Sequence, residues 1–238
     1  MQPPPTARFV PAVLILAALM PLASCAGAPA STGPWGPSDG ATSDGAAGYR
    51  LTGWAPSKRF VLRIHPSAAA PTADVVAAAE EVSHRSGIEI TLGPAATSTD
   101  PDLIGATPEI TVVVGAYCPA PAVGCAEMWG QFGFTWADSH VIRDVRVSLV
   151  PEVVGDDDLL RPILLHELGH AVGLDHQEEP FLGRRQVMSP LIDPTMAQYR
   201  EGDLAGLAAV GSMAREAPAW LVALTGGSTL PAPIAVIG

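Results

Sequence analysis

Basic charge is scarce in this chain. Thirteen Lys and Arg stand against twenty-four Asp and Glu, the net charge is −11, and Lys58 is the only lysine. That scarcity excludes nucleic acid as a partner, because phosphate binding needs clustered basic residues. An anionic lipid surface would repel the chain for the same reason. Long apolar runs are missing too. The run from Phe9 to Met20 is broken by Pro11 and bounded by Pro21, and it falls short of the roughly 20 apolar residues a membrane span needs. Cysteines number three, Cys25, Cys118 and Cys125, and no second Cys or His pair lies at zinc-finger spacing.

What is present begins with a targeting pattern. Arg8 gives a short positive region, Phe9 to Met20 an apolar one, and Leu22-Ala23-Ser24-Cys25 a small-residue cleavage site, so residues 1–24 read as a signal peptide. The last four letters resemble a bacterial lipobox, which implies a lipidated Cys25 and attachment to the cell membrane outside the cytoplasm. Ordinary cleavage at the A-x-A-like stretch from Ala26 to Ala28 would instead give a secreted protein. Residues 25–48, rich in Gly, Ala, Pro, Ser and Thr, follow as a lipidated N-terminus and flexible tether. Residues 49–215 suffice for one domain with its own core. Residues 216–238 form an apolar tail around Trp220-Leu221-Val222-Ala223-Leu224, too short to cross a bilayer and expected to pack on the domain. With Cys25 taken by lipid, Cys118 and Cys125 are left as an even pair for one disulfide, a small ring worth about 2.5 kcal/mol by loop entropy.

Within the domain, Arg59 to His65 alternates as a strand, and Thr72 caps a helix that runs to about Arg85 and stops at Gly87. Ile88 to Leu92, Glu109 to Val114, Phe132 to Trp136 and Val145 to Val150 read as further strands. Asp156-Asp157-Asp158 opens a long helix with Asp158 as its cap and Pro162 in its first turn. Capping and a solvated loop account for this acidic run; a calcium site there is possible but not indicated.

That helix carries the most informative letters, HELGHAVGLDH at residues 166–176. At roughly 100° per residue, His170 falls about 40° and Glu167 about 100° from His166, on one face. Leu164, Leu165, Leu168, Ala171 and Val172 fall on the opposite side, the stripe that packs on a core. Gly173 ends the helix and turns the chain, which brings His176 toward His166 and His170 from another direction. Three neutral imidazoles suit a tetrahedral zinc ion with one position left for water, and Glu167 stands beside the ligands as a general base.

The pattern H-E-x-x-H-x-x-G-x-x-H, followed by Val187-Met188-Ser189-Pro190, resembles the metzincin metalloproteases and, in its GLDH and Met-x-Pro runs, their matrixin-like branch. The resemblance is specific from about residue 160 to 212. It implies one catalytic Zn2+ held by His166, His170 and His176, Met188 as a hydrophobic floor, and Pro190, Leu191 and Ile192 as the wall of the S1′ pocket. It also implies an α+β fold: a twisted, mostly parallel sheet with an antiparallel edge strand, two long helices, and a C-terminal helix after the methionine turn. Tyr199 reads as structural rather than as a ligand. The H-x-D pattern that holds a second zinc and calcium in many matrixins is not found. His65, His84 and His140 are scattered, and the 118–125 bridge falls where those ions would sit.

The expected activity is hydrolysis of a polypeptide by a monomer outside the cell. An extended substrate would pair with the exposed sheet edge. Two other readings stay open: a catalytically inactive surface lipoprotein that binds zinc or a partner, and an amidase acting on cell-wall peptides.

Overall fold

A computed structural model describes residues 49–102, 107–115, 118–131, 141–216, 233 and 235–238. The expected signal peptide, Cys25, the expected tether, the expected strand from Phe132 to Trp136 and most of the tail lie outside the described residues. In chain order the elements are β1 (Arg50–Leu51), β2 (Ala55–Pro56), β3 (Arg59–Ile64), α1 (Thr72–Ser86), β4 (Glu89–Leu92), β5 (Glu109–Val114), β6 (Gly124–Gln131), β7 (Val141–Leu149), α2 (Pro151–Val154), α3 (Asp157–Ala171), β8 (Leu174–Asp175), α4 (Glu201–Met213) and β9 (Ala235–Ile237).

The fold is mixed α+β around a mostly parallel sheet ordered β4-β3-β5-β7-β6-β9. Strands β4, β3, β5 and β7 run parallel, β6 is antiparallel to β7, and β2 adds a short parallel pairing to β7. Period-2 alternation divides the two faces. Phe60, Leu62 and Ile64 of β3, Ile110 and Val112 of β5, and Ala126 and Met128 of β6 join one buried core with the apolar stripes of α1, α3 and α4. The opposite face is ionic. Arg63 pairs with Glu109 at 2.7 Å, and Arg146 bridges Glu127 and Asp100 while lying over the Trp129 ring.

Several local readings need correction. Helix α1 starts at Thr72 without a side-chain cap; the Thr72 hydroxyl donates back to Ala69 O at 2.9 Å, and Gly87 at φ 74° closes the helix as expected. Helix α3 is capped by Asp156, not Asp158, because the Asp156 carboxylate accepts from Asp158 N and Leu159 N. Pro162 therefore sits in the second turn.

Strand β7 begins at Val141, earlier than the alternation suggests. Trp129 pairs with Asp144 and Gly130 with Ile142, which leaves Arg143 as a bulge. The extra residue reverses the alternation, so Ile142 shares the core face with Val145, Val147 and Leu149. Strand β6 was hidden for another reason: glycine bounds it at 124 and recurs at 130, and Ala126 adds little β preference. Cys118 and Cys125 are disulfide-bonded, joining the loop before β6 to its second residue. From the tail, Ala235–Ile237 returns as β9 against the outer edge of β6.

Candidate metal centre

The apolar back of α3 fixes the direction of its front. Leu164, Leu165, Leu168, Ala171 and Val172 are fully buried, so His166 and His170 are held one turn apart on the opposite side. Gly173, at φ 104°, then turns the chain where a side chain would lie 3.1 Å from Trp54 O. Residues Leu174–Asp175 pair with Arg50–Leu51, and this small ribbon delivers His176. His166 Nε2 lies 3.1 Å from His176 Nε2 and 3.0 Å from His170 Nε2.

Backbone carbonyls set the tautomers. His166 Nδ1–H donates to Val187 O at 2.8 Å, and His170 Nδ1–H donates to Leu174 O at 2.8 Å. Each leaves its Nε2 lone pair directed at the common point. Burial keeps these rings neutral. It pushes His166 down to about 3, with His176 adding to the effect, and it lowers His170 and His176 as well. Three neutral nitrogens at such spacing repel one another unless a cation lies between them. Ligands about 2.05 Å from a tetrahedral ion stand about 3.3 Å apart, close to the separations seen. The three histidines can therefore hold a metal ion, their ligand atoms all lying within 4.8 Å of one another.

Glu167 is 1% exposed, and burial raises its pKa well above the ordinary carboxylate value. Its Oε2 has no hydrogen-bond partner, the condition of a group whose natural partner is water or an ion. The start of β6 packs directly on it. A Cβ at Gly124 would lie 2.7 Å from Glu167 Oε1 and 3.0 Å from Ile163.

Met188 is buried against α3 at Gly169, where an added Cβ would lie 2.5 Å from its sulfur. Its carbonyl accepts from Gln177 N at 2.7 Å, tying the methionine turn to the strand of chain that carries His176. Pro190, Leu191 and Ile192 follow, half-buried, with Ile192 against the core. Tyr199 is buried, and its hydroxyl donates to Leu165 O at 2.5 Å, a structural role as expected. His65 accepts from Ser67 N at 3.2 Å, away from the cluster.

Sequence reasoning missed the support of this turn. Asp203 accepts from Val187 N at 2.9 Å and Met188 N at 3.2 Å, and also from Arg200 N at 3.0 Å at the head of α4. Gln186 Oε1 in return accepts from Gly202 N at 3.0 Å. The acid at the third position of a helix beginning at Glu201 was the available signal, since such an acid reaches back to orphan N–H groups. The chain matches no protein-family model and no curated protein sequence.

Proposed function

We propose that this protein is a zinc-dependent endopeptidase of the metzincin type, matrixin-like in its site, acting outside the cell as a lipid-anchored monomer. The observation that carries the reading is the convergence of three Nε2 atoms, two of them fixed by Nδ1–H bonds to Val187 O and Leu174 O, beside a buried glutamate whose Oε2 has no hydrogen-bond partner.

His166, His170 and His176 would hold the ion. Bound Zn2+ supplies positive charge that polarises a peptide carbonyl and acidifies water. Glu167 accepts the proton of the attacking water at a carboxylate oxygen and returns it to the departing amine nitrogen. The second-sphere bonds to Val187 O and Leu174 O keep two imidazoles from rotating. Met188 forms the apolar floor, and Pro190, Leu191 and Ile192 line the pocket for the side chain after the scissile bond. An extended peptide lies along the β6 edge, where backbone pairing provides affinity without demanding one sequence. The N-terminal lipid on Cys25 attaches the domain to the membrane.

Elemental analysis of the purified chain should find one zinc per molecule, and denatured casein should be cleaved, with cleavage lost on chelation and restored by Zn2+. Glu167→Ala should keep the zinc and lose about 10²–10⁴-fold in hydrolysis. Cleavage by that variant at the parent rate would sink the assigned base. Cleavage of purified cell-wall peptides with casein untouched would favour an amidase instead.

A further inference from the structure

The sheet edge nearest the metal centre is occupied by the chain's own tail. Strand β6 begins at Gly124, which packs on Glu167, and its outer edge pairs antiparallel with β9: Ala126 with Ile237, Glu127 with Val236, Met128 with Ala235. The tail runs along this edge toward the glutamate. At Gly238 an added Cβ would lie 2.5 Å from Gly124 O and 2.7 Å from Cys125 Cβ, so the tail reaches the residue that touches Glu167.

The pairing is short and lightly anchored. Three residues form the strand, Ala235 and Ile237 rest half-buried on the core, and Val236 is 42% exposed. A three-residue edge strand belongs to the part of a fold that opens locally without global unfolding. Antiparallel addition to an open edge is also how an extended peptide binds a sheet.

We infer that residues 235–238 act as an intramolecular occupant of the peptide-binding edge, which an extended substrate must displace. This rests on the reading of β6 as the substrate edge of an endopeptidase. The tail competes at the high effective concentration of a tethered ligand. It holds the edge closed to weak or folded polypeptides and yields to unfolded segments of high strand preference.

The test uses the full zinc-loaded chain with Glu167→Ala, so that bound peptide is not cut, and a fluorescein-labelled synthetic peptide of residues 231–238 read by anisotropy. Ala235→Pro together with Val236→Pro releases the tail, because successive strand N–H groups point to opposite sides and one substitution must remove an inward donor. Val236→Thr, which keeps strand preference, is the control. The released variant should bind the peptide at least tenfold more tightly than the parent, with the control unchanged. Equal binding by parent and released variant, or by neither, overturns the inference. Should the double variant fail to fold, hydrogen exchange on the unmodified chain decides. Outer amides among Ala126 to Met128 should exchange at least tenfold faster than those of β5, and equal rates overturn the proposal. Casein hydrolysis with Glu167 intact separates the two readings. Tenfold tighter binding on release without any hydrolysis leaves the occupied edge standing and removes the endopeptidase.

Discussion

Two glycines do for the site what no ligand can do for itself. Gly169 lets the Met188 sulfur approach α3 to a distance no side chain would permit, and Gly124 lets β6 lie on Glu167. Neither was legible as a site residue. A glycine's contribution here is the space it leaves, and that space is defined by residues distant in sequence. Gly169→Ala should therefore overpack the turn and destabilise the fold by about 1–3 kcal/mol. A melting curve reads the loss, and a zinc titration of the same variant should show weaker binding, because Val187 O, which orients His166, moves with the turn. An unchanged melting temperature would mean that Met188 finds another rotamer at no cost. His166, His170 and Glu167, by contrast, could be placed on one face by helix periodicity alone, whereas His176 depends on the Gly173 turn that follows the helix.

At the scale of elements, α4 is more than a closing helix. Its Asp203 takes up the N–H groups of Val187, Met188 and Arg200 with a single carboxylate, so the head of α4 and the methionine turn are one hydrogen-bonded unit. Removing it strands buried donors, each costing about 1–3 kcal/mol. Asp203→Ala should accordingly cost more stability than Asp203→Asn, which retains one acceptor oxygen, and both should weaken zinc binding. Denaturant midpoints with and without zinc measure this, and equal losses in the two variants would show that the bonds contribute little. Helix α1 and the central strands were legible because Gly87 closes Thr72–Ser86, β3 alternates apolar and polar residues, and β5 is rich in β-branched residues. Strand β6 and the start of β7 were not, because glycines and a bulge conceal a pairing that only the neighbouring strand enforces.

Over the whole molecule, the sheet separates an apolar, helix-covered face from an ionic one, and the ionic face contains a group that couples stability to pH. Burial raises Asp144 to about 7, outweighing the lowering effect of Arg143, while its Oδ1 accepts from Glu109 N at 3.1 Å. The folded state thus holds this proton where the unfolded state, at the ordinary value near 3.8, has released it. Stability contributed by the protonated form is present below pH 3.8 and is lost as pH rises toward 7, at up to about 1.4 kcal/mol per pH unit. Asp144→Asn preserves an acceptor for Glu109 N and removes the titration, so its urea midpoint should fall less than that of the parent between pH 4 and 7. Parallel profiles for the two proteins would place the proton elsewhere.

The three histidines and their supports lie close together along the chain. His166, His170, His176, Met188 and Asp203 all belong to the stretch from Asp156 to Met213, whereas the pairing of Ala126 with Ile237 closes a far longer loop. The entropy of loop closure grows with the logarithm of length, and contacts between near neighbours form sooner than those between distant ones. By loop length alone, bringing the three histidines together costs less chain entropy than closing the covered edge. The three histidines can therefore assemble while β6 still lacks its outer neighbour.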